Sequence, residues 1–313
     1  MDANVDPDVA DPDVMEGQAI DRRHMSRLTL PAFAKINLCL EVLGKRSDGM
    51  HEVASVMQTI SLADWLQFRP GPIISLECEG MEVTADNLIL RAAGLLREVT
   101  KLEGNCLIFC QKSIPLAAGL GGGSADAAVT LRALNMLWEA GLSDDELVDL
   151  ARQLGADVPF SIFEGTALST GTGGDVQRLP DAPSHWIVLV PGSADSARKT
   201  AEMYAALDPA DFSDGSKARR MAAVIGEGAL PYDAVGSVFT AAASARWPEV
   251  QRALTALRTG PALAASVSGS GPSSFGIFSN REVATTEVAR LGELGIAASV
   301  YQFVGGPSQG TGG

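Results

Sequence analysis

The chain has 313 residues, of which 46% are hydrophobic and 20% charged, and a formal charge of −14 at neutral pH. That is enough chain to bury its own core over one large or two ordinary domains, and the composition excludes a disordered polymer. The acidic excess excludes a general nucleic-acid binder, which needs a basic face, so any phosphate must be met locally by backbone N–H groups and a few chosen cations.

Residues 1–24 repeat Asp-Pro-Asp-Val at 6–9 and 11–14 and sustain no apolar period. They are expected to be a disordered acidic tail. Either Met25 is the natural start or the tail is a genuine extension. The segment lacks the basic and apolar regions of a secretory signal. No apolar stretch reaches the ~20 residues of a membrane span. The four cysteines and three histidines show no zinc spacing. Reduced thiols in a cytosolic core are the reading.

Ile36, Leu38, Leu40 and Val42 alternate with Asn37, Cys39 and Glu41, which predicts a strand. Period 2 places Lys35 and Asn37 on one face of it. A lysine there either faces solvent or seeks an anion. Asp48-Gly49 turns the chain into an apolar run over Val53–Ile60, giving a hairpin. His51, just past the turn, either packs at the surface or reads the edge of a base. Further strands are predicted at 64–69, 73–78 and 105–111, and a helix over 87–99 capped by Asp86 or Asn87.

The segment from Pro115 to Asp126 holds four glycines: 119, 121, 122 and 123. It lies between a strand and a helix predicted over 124–140. Glycines allow close backbone approach, and a helix start directs free N–H groups outward, so the loop is an anion cradle or a plain tight turn. It completes neither a Walker loop nor a dinucleotide fingerprint. Ser143 and Glu146 form a capping box for a helix that stops at Gly155. Asp157 follows in Gly155-Ala156-Asp157-Val158-Pro159, either as a helix cap or as a base. Gly171 to Asp175 reads as a hairpin turn. Prolines at 180 and 183 mark a boundary between domains 25–182 and 183–304.

Beyond it a strand is predicted at 186–190 and a helix-rich stretch over 196–258. On the latter, Tyr204 after Lys199-Thr200 either packs or stacks on a ring. Ser268, Gly269, Ser270 and Gly271 lie between strands at 264–268 and 274–278, as a β-turn or a second anion site. A helix over 281–294 closed by Gly295, a strand at 296–304 and a flexible tail at 305–313 complete an α+β chain.

Together these pieces resemble the GHMP kinases (galactose, homoserine, mevalonate and phosphomevalonate kinases), with Pro115 to Ala125 similar to their nucleotide loop. Ala34 to Leu38, Asp48 to His51, Gly121-Gly122-Gly123-Ser124 and Gly155 to Pro159 are similar to the branch acting on a cytidine-diphosphate-linked methylerythritol in the non-mevalonate isoprenoid route. The likeness runs from about Leu28 to Val304. It implies a ribosomal-S5-like N-terminal domain, a ferredoxin-like C-terminal domain and a site between them.

The resemblance also implies that ATP with Mg²⁺ phosphorylates the 2-hydroxyl of a small-molecule substrate, with no obligate protein partner. Lys35 and Asp157 match the family's catalytic pair. The ATP site matches Pro115, Leu116, Ala117, Ala118, Gly119, Leu120, Gly121, Gly122, Gly123, Ser124 and Ala125, with Ser124 a candidate metal ligand. Asn37, Met50, His51, Thr200, Tyr204, Ser268, Gly269, Ser270 and Gly271 match its substrate side. Met50 departs from the family's usual Tyr, Pro272 from a small Ala, and Asp175 from Glu. A sibling GHMP kinase acting on homoserine or mevalonate is the alternative. The residue chemistry suits either, because phosphoryl transfer needs positioning and charge neutralisation more than covalent help.

Overall fold

The computed structural model describes residues 27–80, 82–194 and 198–306. The acidic segment 1–24 and residues 307–313 lie outside the described residues.

In chain order the elements are β1 (Leu28–Lys45), β2 (His51–Pro70), β3 (Ser75–Cys78), α1 (Leu88–Thr100), β4 (Cys106–Gln111), α2 (Gly122–Leu137), α3 (Asp144–Leu154), α4 (Val158–Phe163), β5 (Thr166–Thr170) and β6 (Asp175–Arg178). Then come β7 (Trp186–Val190), α5 (Lys199–Ala205), α6 (Ser216–Gly226), β8 (Gly236–Ser237), α7 (Thr240–Arg246), α8 (Pro248–Thr259), β9 (Ala264–Val267), β10 (Ser274–Phe278), α9 (Arg281–Glu293) and β11 (Ser299–Gln302). The first seven-stranded sheet has the order β3-β4-β2-β1-β8, with β5 and β6 joined through β2. The second has four strands, ordered β11-β7-β10-β9.

β1 and β2 form one long antiparallel ribbon. The sequence predicts a break between residues 60 and 64, but β2 runs through, because Ala63 and Asp64 still pair with Phe33 and Ala32. The register of β1 slips between Phe33 and Lys35 and again between Asn37 and Cys39. Such bulges twist a strand and re-aim its side chains. Here they bracket Lys35 and Asn37. Cys39 and Glu41, which alternation assigns to a polar face, are buried too. The reason is that α6 packs back onto β1, with Ser213 Oγ and Ala218 N donating to the Glu41 carboxylate, each at 2.8 Å.

α2 is alanine-rich, and Ala125, Ala127, Ala128 and Ala133 let it sit close to β1, α1 and α4 at the centre of the first core. It starts at Gly122, two residues before the predicted position, since Gly121 takes the N-cap with φ 73°. It also stops earlier, at Leu137. The capping box of α3 forms as its sequence dictates. The helix-rich stretch resolves into α5 to α8, with the two-residue β8 between them pairing parallel to β1. In the second sheet α8 packs on β9 and β10, and α9 on β7 and β11.

Candidate active site

A cleft of about 970 Å³ opens between the long hairpin, the glycine loop, α5 and the 268–271 loop. It is lined by Lys35 and Asn37 from β1, by Met50 and His51 at the hairpin, by Pro115 through Ser124, by Asp157, by Thr200 and Tyr204, and by Gly269 and Ser270. The structure thus gathers residues more than two hundred positions apart. Three predicted contacts fall elsewhere. Ala125 is buried in the core behind the loop, because the earlier start of α2 turns it inward. Ser268 is fully buried; its hydroxyl donates to Gly119 O at 2.8 Å and so holds the glycine loop from behind. Gly271 also lies off the lining, its carbonyl accepting from the Lys199 ammonium.

Lys35 is 4% exposed, so the solvent-facing alternative does not hold. Its ammonium donates to Asn37 Oδ1 at 2.8 Å and to Gly119 O at 3.3 Å, and lies 3.2 Å from Asp157 Oδ2. Asn37 is fixed in turn, Nδ2 donating to Ser55 Oγ at 2.8 Å. Asp157 occupies the N-cap position of α4, but its side chain caps nothing. Its carboxylate is spared for Lys35, and at 38% side-chain exposure it remains open to the cleft. That combination suits a group that must receive a proton from something arriving.

The glycine loop is shaped by space as well as by φ. Gly119 lies at φ +83°, and a Cβ there would meet Ser268 O at 2.3 Å. Gly122 needs no positive φ, yet a Cβ would sit 2.9 Å from Ile114 Cγ2. The loop closes because Asp64 Oδ1 accepts from Ser113 N at 2.5 Å and Ile114 N at 2.8 Å. Lys112 then bridges Asp64 and Asp126. Sequence reading missed this cluster. The available signal was a lysine and an aspartate at the two ends of the loop, both inside apolar surroundings.

At the far end of the cleft the His51 and Tyr204 rings lie 5.0 Å apart, tilted by 38°, and Tyr204 packs edge-on against Phe239. Burial, and after it the Asp157 charge, push the Tyr204 phenol up to about 12, so it stays a neutral donor. Met50 is exposed at the rim. Among the described residues no cluster of three His, Cys, Asp or Glu side chains could hold a metal, the four cysteines are buried and free, and no helix is long and apolar enough to cross a membrane.

The comparisons agree with this architecture. Residues 87–165 match the GHMP kinases N terminal domain and residues 233–297 the GHMP kinases C terminal domain. A homoserine kinase from Cytophaga hutchinsonii shares the fold, with a TM-score of 0.65 at 16% identity over 93% of this chain and 97% of that one. The architecture is the two-domain α+β fold of the GHMP kinases, which are ATP-dependent phosphotransferases.

The 4-diphosphocytidyl-2-C-methyl-D-erythritol kinase of Pelotomaculum thermopropionicum is 43% identical over 269 residues, covering 84% of this chain and 93% of its own. That of Symbiobacterium thermophilum is 40% identical over 85% of this chain and 96% of its own. A crystal structure of 4-(cytidine 5'-diphospho)-2C-methyl-D-erythritol kinase superposes with a TM-score of 0.76 at 32% identity, over 89% of this chain and all of that one. This chain belongs to the 4-diphosphocytidyl-2-C-methyl-D-erythritol kinase family.

Proposed function

We propose that the protein transfers the γ-phosphoryl group of ATP to the 2-hydroxyl of 4-diphosphocytidyl-2-C-methyl-D-erythritol, in the cytoplasm, as a step of isoprenoid synthesis. The observation that carries this is one cleft with two chemically distinct ends. One end has the glycine loop and the Lys35–Asp157 pair at 3.2 Å; the other has the His51–Tyr204 ring pair at 5.0 Å. A homoserine or mevalonate kinase needs the first end and has no use for rings at the second.

In this reading Asp157 accepts the proton of the attacking hydroxyl. Lys35, held by Asn37 and Gly119 O, stabilises charge as it develops on the transferring group. Backbone N–H groups of residues 119–124 hold the ATP phosphates at the start of α2. Ser124 lines the cleft there, and its hydroxyl would be a side-chain ligand for Mg²⁺. A single hydroxyl fits an ion that keeps its waters and is held mainly by substrate phosphates. When bound, Mg²⁺ neutralises the phosphate oxygens. His51 reads the base edge, Tyr204 stacks on it, Met50 covers it, and Thr200, Gly269 and Ser270 line the path of the polyol. Ser268 and Gly271 serve by positioning the loops.

A coupled assay of ADP release tests the substrate. Turnover with the cytidylated alcohol and none with homoserine or mevalonate is expected. Preference for either of the latter would replace the substrate reading while leaving the kinase.

A further inference from the structure

Of the lysines that line the cleft beside Lys35, one is deeply buried and has no part in the reaction above. Lys199 opens α5, is 4% exposed, and lines the cleft. Its ammonium donates to Gly271 O, and among the described residues it forms no salt bridge. An ammonium has three donors, and one neutral carbonyl occupies only one of them. Burying a cation without a counter-ion is costly, so an incoming anion would complete its surroundings.

Its position says which kind of anion. Gly271 closes the loop in which Ser268 holds Gly119 O, the same carbonyl that accepts from Lys35. The two lysines therefore grip two loops that are tied to each other. Lys199 and Tyr204 at the base end lie five positions apart on α5, a rise of about 7.5 Å. Lys199 shares the cleft lining with the rings and with Asp157, so it is offered to a ligand whose phosphates lie along that lining. Resting on the kinase reading above, we propose that Lys199 is a second phosphate-binding cation of the transfer site, engaging phosphate oxygens together with Lys35. The oxygens come either from the transferring phosphoryl group or from the acceptor's diphosphate.

The electrostatics make this visible to pH. Burial, then the Lys35 charge, lowers the Lys199 ammonium to about 8, with Arg246 adding to the depression and Asp157 opposing it. These groups face it from β1, from α7 and from the start of α4; Arg246 is itself paired to Glu202 at 2.6 Å. The ammonium is therefore half lost near pH 8 in the empty cleft, and phosphate binding should hold the proton on.

The test compares Lys199→Met and Lys199→Arg in the full chain. The Met variant should keep its melting temperature, because a buried charge is replaced by an apolar stem of like length. Its kcat/KM should fall about 100-fold, the usual cost of one preorganised donor at a phosphoryl centre. The Arg variant should recover part of the loss, and the basic limb of its kcat/KM profile should move above the wild-type limb near pH 8.

A fall in kcat with both KM values intact assigns Lys199 to the transferring group. A raised KM for the acceptor, with CDP binding weakened in calorimetry and ATP binding unchanged, assigns it to the acceptor's diphosphate. Either supports the proposal. A Met variant within twofold of wild type would overturn it, as would superimposable pH profiles for Arg and wild type. So would activity lost only in step with melting temperature, which would make Lys199 a strut for the 268–271 loop. Should wild type phosphorylate homoserine or mevalonate instead, the substrate reading fails, and the same variants still judge Lys199 with that alcohol.

Discussion

Lys35 with Asp157, and Lys112 with Asp64 and Asp126, are two lysine–aspartate clusters against the same glycine loop. Access separates them. The Asp157 side chain is 38% exposed, while Asp64 and Asp126 are 0% and 5% exposed. In the open cluster the lysine is anchored by a neutral amide and a carbonyl, which leaves the carboxylate free to exchange a proton. In the sealed one a single ammonium bridges two carboxylates, and Asp64 is further spent on two backbone N–H groups of the loop. Ion pairs with the same residue types thus differ in task. Removing a member of the sealed cluster should be felt in stability, and removing a member of the open one in rate.

The largest effect expected from that contrast is in the open cluster. Asp157→Asn should lower kcat by about 10²–10⁴, the usual worth of a positioned base, with the melting temperature nearly unchanged. An Asn variant that retains most of the wild-type kcat would take Asp157 out of the mechanism.

The mirror experiment is Lys112→Met. It leaves two buried carboxylates without their cation, a change that typically costs about 3–5 kcal/mol. Denaturant unfolding should show the loss in full even without ligand. A variant as stable as wild type, but slow, would mean that the sealed cluster belongs to the chemistry after all.

Much of the open cluster is legible in the sequence and little of the sealed one. Lys35, Asn37 and Asp157 stand in short motifs whose residue types already imply anion and proton chemistry; two bulges of β1 bracket Lys35 and Asn37, and the start of α4 brings Asp157 to them. Lys112, Asp64 and Asp126 are joined only by tertiary packing across β2, the loop and α2, and no local period records that. The same reason hides the two-residue β8, whose pairing with β1 depends on α6 folding back over the first sheet. It also explains why Ala125, Ser268 and Gly271 lie off the cleft lining: a motif names neighbours in sequence, while the start of α2 turns Ala125 inward and contacts with Gly119 and Lys199 hold Ser268 and Gly271 behind the loop.

The sealed cluster carries a pH signature. Burial chiefly, with the Asp64 charge adding and Lys112 opposing, pushes Asp126 up to about 7, and its Oδ1 has no hydrogen-bond partner. The folded protein therefore keeps a proton that the unfolded chain releases near the ordinary 3.8. The stability this contributes is complete below pH 3.8 and drains away as pH rises to about 7. Asp126→Asn should flatten the unfolding free energy over that window relative to wild type. Parallel curves for the two proteins would take Asp126 out of the pH dependence of stability.

The smallest expected change comes at the far end of the cleft. His51 is half-buried, and its ring meets Tyr204 at 5.0 Å and Phe212 at 6.2 Å, so three rings form a partial box open toward Met50. Met50 is 54% exposed and has a flexible thioether where an aromatic would present a flat face. Stacking is under-supplied on that side, and hydrogen bonding by the imidazole should carry more of the discrimination for cytosine. His51→Ala should therefore cost about 1–3 kcal/mol in kcat/KM for the cytidylated substrate, the price of an unpaired polar edge, while KM for ATP stays put. Met50→Tyr should move the same quantity the other way by about 0.5–1.5 kcal/mol, the worth of an aromatic pair. Steady-state kinetics on both variants decide the matter. If His51→Ala leaves KM for the nucleotide substrate unaltered, base recognition passes to Tyr204 and the backbone around it, and the far end becomes a hydrophobic slot without a reading edge.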